Sequence, residues 1–174
     1  SVFANGGYRV HPWLITKVTD HKGRVISETT PPTLDETKRA IDARNAFVMN
    51  SLLQEVTRSG TAARAQATLK RTDLAGKTGT TNDSVDAWFA GYQPTVAAVT
   101  WIGYDTPRNL GSRETGGGLS LPVWISFMDR ALKGVPVTEP KVPAGVVNVG
   151  GDWFYEEYAR SGVPSLGVED KGSS

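Results

Sequence analysis

A chain of 174 residues, 39% hydrophobic and 21% charged, encloses at most one domain-sized core. Its formal net charge of +1 gives no ground for a nucleic-acid partner, and the absence of cysteine excludes disulfides and thiolate metal sites and fits an exported protein as well as an internal one. No run of about 18 apolar residues is present, so no membrane contact is expected from this stretch, and Ser1-Val2-Phe3-Ala4 lacks the basic start and apolar centre of a signal peptide.

In chain order, Val2, Phe3 and Ala4 run into Asn5-Gly6-Gly7, which reads as a helix stop or turn. Residues 13–18 and 24–28 read as two short strands, and the loop between them contains Gly23, so a hairpin is expected. Pro31 and Pro32 break the pattern, and residues 33–40 are a polar connector or a loose first turn. Asp42 is a plausible N-cap for a helix reaching Arg58, with Ala46, Met49, Leu53 and Val56 at core-facing spacing, and Ser59-Gly60 ends it. An alanine-rich stretch from Thr61 to Thr68 leads to Lys70-Arg71, expected to be a solvated strand entrance.

The run Leu74-Ala75-Gly76-Lys77-Thr78-Gly79-Thr80-Thr81 alternates small and polar side chains, as an anion-recognising edge strand does. A period of two places Thr78 and Thr80 on one face, their hydroxyls ~7 Å apart and able to grip one carboxylate. Gly79 between them lets a ligand or backbone come close, and Lys77 supplies a positive field. On a free edge, the N–H of Thr80 can donate to an oxygen that becomes negative during acyl transfer.

Two further strands follow the turn 81–84, at 86–92 and 96–104. Both are apolar on successive positions, which predicts cover on both faces and helices on either side of the sheet. Gly116 to Gly118 form a flexible loop before Ser120, the expected N-cap of a helix to Lys133 with Pro122 in its first turn. The rows Val123, Phe127, Ala131 and Trp124, Met128, Leu132 give that helix a wide apolar face, and Trp88 and Trp124 are expected as core anchors. Beyond Val135, three prolines mark an extended linker, residues 146–149 a last strand, 153–158 a short helix or aromatic patch, and Gly162 onward disorder. His11 and His21 stand alone without a second ligand at metal-like spacing, so no metal is expected.

Gly76-Lys77-Thr78 also matches the end of a phosphate-binding loop. That motif requires glycine at position 71, where Arg71 stands, and a helix after the lysine, where the sequence is poor helix material. Nucleotide binding is therefore set aside.

Lys77-Thr78-Gly79-Thr80 resembles the third signature of the penicillin-recognising serine acyltransferases, whose full set is S-x-x-K, S-x-N and K-T-G. Three residues alone are a weak signal. The wider run from Gly76 to Asp83 and on through Asp86-Ala87-Trp88-Phe89-Ala90-Gly91-Tyr92 is similar to the transpeptidase domain of class A, bifunctional penicillin-binding proteins. So are Val2-Phe3-Ala4-Asn5-Gly6-Gly7-Tyr8 with Pro12-Trp13-Leu14-Ile15, then Trp101-Ile102-Gly103-Tyr104-Asp105, Thr115-Gly116-Gly117-Gly118 and Leu121-Pro122-Val123-Trp124. The likeness covers nearly everything up to about Lys133.

The resemblance implies an α/β fold of the α+β type, an antiparallel central sheet flanked by helices as in penicillin-binding transpeptidases and serine β-lactamases. It implies a serine-type D-Ala-D-Ala transpeptidase or carboxypeptidase without a cofactor, acting on peptidoglycan stem peptides and trapped by β-lactams. The expected place is the periplasmic side of the bacterial inner membrane, with the anchor upstream. On this chain the resemblance assigns Lys77 and Thr80 to catalysis and Thr78, Gly79 and Thr80 to substrate binding.

The departures are specific. No serine has a lysine three positions on, and none has an asparagine two positions on; the nearest, Ser84-Val85-Asp86, ends in aspartate. Residues 1–134 are therefore expected to be the C-terminal portion of such a domain, incomplete and inactive without an upstream half that carries the serine, and 135–174 a C-terminal extension. The alternative is a non-catalytic interaction module that retains the fold.

Overall fold

One aspartate sets where the longest helix begins. In the computed structural model, which describes residues 2–111 and 114–159, the Asp42 carboxylate accepts the backbone N–H of Arg44 at 2.8 Å and starts α1 (Ala43–Arg58). The buried side of α1 is Ala46, Phe47 and Thr57; Met49 and Leu53, expected in the core, are only half-buried. The alanine-rich stretch after Gly60 forms a second helix, α2 (Ala63–Leu69), which ends on Lys70 in the left-handed region at φ 51°. Upstream, Gly7 N–H donates to Val2 O at 2.9 Å and Gly6 N–H to Phe3 O at 3.1 Å, the bond pair that closes a helix, with Gly6 at φ 65°.

The expected hairpin is present but shorter. Its strands are β1 (Lys17–Thr19) and β2 (Val25–Glu28), antiparallel, with Gly23 at φ 80° in the loop. Residues 13–16 are not strand, although Thr29 still donates to Thr16 O and Ile15 O. No residue of either strand is buried, so neither face meets the core.

The central sheet has the order β3 (Ala75–Thr80), β4 (Ala87–Gln93), β5 (Val96–Ile102), all antiparallel. The strand formed by Gly76-Lys77-Thr78 replaces the helix that a phosphate-binding loop needs at this point. The expectation of cover on both faces holds at one end of the sheet, where α1 lies over Ala75 and Tyr92 and Asn50 accepts the Tyr92 hydroxyl, and fails at the other, where burial alternates along β4. Ala87, Phe89, Gly91 and Gln93 are buried beneath the helices, whereas the opposite face keeps Trp88, Val99 and Trp101 exposed at 43%, 62% and 45%. The strands read as continuous apolar runs because tryptophan, alanine and valine occupy the outward positions as well. Trp88 is thus a surface residue, with its ring 6.0 Å from that of Trp101, while Trp124 is fully buried.

The covering helix is α3 (Leu121–Ala131), with Pro122 in its first turn. Leu121, Trp124, Ile125, Met128 and Leu132 are buried, but Val123 and Phe127 are each 51% exposed, so only one of the two expected apolar rows meets the core. Ser120 is not its cap. The Ser120 residue is itself helical, and its hydroxyl donates to Ala87 O at 2.6 Å; Thr115 caps instead, accepting Gly118 N–H at the head of a π-helical turn over Gly116–Ser120. Phe89 meets Trp124 edge-on at 4.9 Å in the middle of the core, and Trp124 Nε1–H donates to Ala98 O at 3.2 Å.

Arg71, expected in solvent, is folded into the body. Its guanidinium makes two bonds to Asp73, at 2.9 and 2.7 Å, and two to the carbonyls of Val135 and Pro136, at 2.7 and 3.0 Å. The Asp73 side chain has no solvent exposure. Beyond this clasp, β6 (Val146–Val149) and β7 (Asp152–Tyr155) form a hairpin, followed by α4 (Glu156–Ala159). The expected last strand is β6; the aromatic stretch 153–158 divides between β7 and the short helix α4, and Trp153 sits edge-on to Phe47 of α1 at 5.0 Å. The tail from Gly162, expected to be disordered, lies outside the described residues. Among the described residues no helix is long and apolar enough to cross a membrane.

Candidate active site

β3 is an edge strand among the described residues, hydrogen-bonded only to β4. Thr81 N–H donates to Asp86 O at 3.2 Å, continuing the same register, and this fixes the phase of the ladder. In an antiparallel pair every second residue exchanges both bonds with its partner, so Gly79, Lys77 and Ala75 bond to β4. Thr78 and Thr80 then direct both N–H and C=O off the free edge. Lys77 Nζ accordingly reaches the Thr78 carbonyl at 3.0 Å and lies 3.5 Å from the Thr78 hydroxyl.

Residues paired across the ladder share a face. Thr78 opposes Phe89 and Thr80 opposes Ala87, so both hydroxyls stand on the helix-covered side, as the period of two requires. Lys77 opposes Ala90 and Gly79 opposes Trp88, on the exposed side. The Lys77 side chain thus leaves from the exposed side and curls over the edge to Thr78, so that its ammonium, the hydroxyls and the outward N–H groups gather along one edge. Lys77 and Thr80 are exposed, while Thr78 and Gly79 are half-buried.

Two residues that the sequence did not single out as site residues position those hydroxyls. Thr61, in the turn between α1 and α2, places its Oγ1 2.9 Å from Thr78 Oγ1, and either atom can be the donor. Gly116 N–H donates to Thr80 Oγ1 at 3.1 Å, which leaves the Thr80 hydroxyl hydrogen for another acceptor. Only glycine fits there: a Cβ on Gly116 would stand 2.6 Å from Gly79 O and closer still to Trp88 O. The triplet Gly116-Gly117-Gly118 after Thr115 was the available signal, and it read as a plain loop. For Thr61 the sequence held no signal beyond its hydroxyl.

The root of β3 is held from below. The buried Thr57 hydroxyl donates to Leu74 O at 2.6 Å, tying α1 to the strand entrance. Burial pushes the Asp73 carboxyl up, but hydrogen bonds from Arg71, Gln93 and the Thr138 N–H outweigh it and hold the group below the usual carboxylate range. His11 and His21 are both exposed.

An antiparallel sheet under a helical layer, with Lys-Thr-Gly-Thr along its free edge, defines the class of the penicillin-recognising acyltransferase folds. The chain belongs to the penicillin binding protein transpeptidase domain family, whose sequence model matches residues 1–128. It is 48% identical over 158 residues to penicillin-binding protein 1A of Neisseria flavescens, covering 90% of this chain and 20% of that protein. Penicillin-binding protein 1A of Pseudomonas aeruginosa is 38% identical, over 97% of this chain and 26% of its own length. The crystal structure of penicillin-binding protein 1A from Haemophilus influenzae superposes with a TM-score of 0.78 at 29% identity, covering 84% of this chain and 27% of that one. The chain thus spans about a fifth to a quarter of the length of these relatives.

Proposed function

We propose that this chain supplies the Lys-Thr-Gly-Thr half of a peptidoglycan D,D-transpeptidase whose nucleophilic serine and S-x-N motif stand on an upstream half of the same domain. The observation that carries the reading is the free edge of β3, where the outward N–H of Thr80, two positioned hydroxyls and the Lys77 ammonium converge. The upstream half would also lie against the exposed Trp88, Val99 and Trp101 face. Residues 1–134 are the C-terminal portion of the domain in this reading, and 135–174 an extension whose described part, 135–159, docks on it.

A stem peptide ending in D-Ala-D-Ala lies along β3. Its terminal carboxylate accepts the hydroxyl hydrogens of Thr80 and, when Thr61 donates to it, of Thr78. Gly79, with no side chain, leaves room for the peptide backbone. The serine oxygen attacks the penultimate carbonyl carbon, and the Thr80 N–H donates to the oxygen that becomes negative. The peptide C–N bond then breaks, the serine proton passes by way of the lysine of the S-x-x-K motif to the departing D-Ala amine, and an acyl-serine remains. The amine of a neighbouring strand displaces the serine and forms the cross-link. Lys77 keeps the cleft positive and assists the proton transfers. β-Lactams follow the same first step and stop at the acyl-serine. No cofactor takes part, and the site faces the periplasm, on a parent anchored upstream.

The test is covalent labelling by a fluorescent penicillin. The 174-residue chain alone takes up no label, and recombination with the upstream half places label on the partner piece. In the full-length parent, Lys77→Ala slows acylation by about a hundredfold or more, the scale of losing a positioned electrostatic group. Labelling of the chain alone, or wild-type acylation by the variant, refutes the assignment.

A further inference from the structure

Away from the β3 edge, a cavity of about 330 Å³ opens between the N-terminal turn, α1 and the extended stretch 138–143. Small side chains make the room: Ala43 and Ala46 present only methyl groups along α1, and Pro140 and Pro143 have no N–H with which to draw the chain onto the helix. The aromatic surfaces are Phe3, Phe47 and Tyr92. Tyr92 donates its hydroxyl to Asn50 Oδ1 at 2.9 Å, which leaves the Asn50 amide N–H groups, on a side chain that lines the cavity, free to donate. Burial pushes the Tyr92 hydroxyl up from its ordinary pKa, so it stays a neutral donor.

The charges on the wall are unequal in what they have left to offer. Asp73 is saturated by Arg71, Gln93 and the Thr138 N–H, and Arg71 neutralises it. Lys141, at the mouth, is exposed and makes no ion pair or side-chain hydrogen bond among the described residues. The volume lies at the lower end of small-molecule sites, roughly 300–1,000 Å³.

We propose that this cavity is a second binding site, for a compact aromatic carboxylate whose ring packs between Phe3 and Phe47 and whose acid group meets Lys141 and the Asn50 amide. The site adjoins the root of the Lys-Thr-Gly-Thr strand, because Tyr92 pairs with Ala75 and Asp73 lies just before β3. It does not depend on the transpeptidase reading.

The probe is 4-phenylbutyrate, titrated calorimetrically into the full-length parent beside 4-phenylbutan-1-ol, with saturation-transfer NMR to identify the bound ring. The acid is expected to bind saturably and about fivefold more tightly than the alcohol, the upper range for a partly exposed ion pair. Lys141→Glu, a surface change that leaves the fold intact, removes that preference. Ala46→Phe fills the cavity and weakens both ligands about tenfold or more, since a well-packed space does not admit a second ring. Lys77→Ala leaves binding unchanged. No binding at millimolar concentration, equal affinity for acid and alcohol, a preference that survives Lys141→Glu, or loss of binding with Lys77→Ala would overturn the proposal.

Discussion

Asp73→Asn removes one negative charge from the base of β3 and tests whether the clasp with the C-terminal stretch holds the strand. Asp73 Oδ2 receives three donors: Arg71 Nη2 at 2.7 Å, Gln93 Nε2 at 3.0 Å and Thr138 N–H at 3.1 Å. An amide NH₂ in that position faces donors instead of accepting from them, and Arg71, 11% exposed, loses its counter-charge. Breaking a buried ion pair from one side costs about 3–5 kcal/mol. At ~2–4 °C per kcal/mol for a domain of this size, the transition falls by roughly 6–20 °C. Thermal unfolding of the full-length parent measures the shift, and hydrogen exchange on peptides from 74–80 and 135–143 locates it. Both segments should exchange faster together. The wild-type protein should show the same dependence through pH. A carboxyl whose folded pKa is depressed contributes its stability above the ordinary value of about 3.9, and that contribution is lost as pH falls through the lower folded value. A shift under 2 °C for Asp73→Asn, or faster exchange in 135–143 alone, would show that the clasp serves only the extension.

Other changes separate the site from its supports. Thr80→Val removes the hydroxyl and keeps the backbone N–H, so acylation by β-lactams that carry a carboxylate should fall more than tenfold while stability falls by about 1 kcal/mol as the Gly116 N–H loses its acceptor; an acylation loss no larger than the stability loss would assign Thr80 to packing. Thr61→Val, exposed and remote from the reacting carbonyl, should cut acylation about three- to tenfold with little effect on stability, as the loss of one positioning hydrogen bond does. Unchanged rates would remove Thr61 from the site. Gly116→Ala should cost about 1–3 kcal/mol by overpacking against backbone and slow acylation with it. A stable, fully active alanine variant would contradict the contact with Gly79. Trp124→Ala should cost about 3–5 kcal/mol, read by thermal unfolding, since it empties the middle of the core; a smaller loss would mean the site collapses around the gap.

Local signals carried the sequence reading far at some positions and not at others. Asp42, Ser59-Gly60 and Pro122 act within a turn of the helices they delimit, and α1 and α3 appear where those residues put them. The alternation from Ala75 to Thr80 gave β3 and the common face of its threonines. What was missed depends on distant partners. Arg71 and Asp73 look like ordinary surface charges until Gln93 and residues 135–138 are folded against them. Thr61 acquires a role only by meeting a residue 17 positions on. The bare patch of Trp88, Val99 and Trp101 on β4 and β5 was illegible because hydrophobicity was read as burial, and these residues are hydrophobic and exposed. α2 was overlooked since no side chain caps its start, so alanine content was its only mark.

The phase of the β3–β4 ladder also bears on which length changes this protein can tolerate. Between Thr80 and Ala87 the chain turns through six residues, and their number decides which backbone groups look outward from β3. Slipping the pairing by a single position would aim Gly79 and Thr81 at solvent, tuck the Thr80 amide into the sheet and carry the Thr78 and Thr80 hydroxyls to the opposite face. Insertions between Thr81 and Asp86 are therefore expected in twos or not at all, whereas the segment 104–108, which joins no strand, can lengthen without changing that phase.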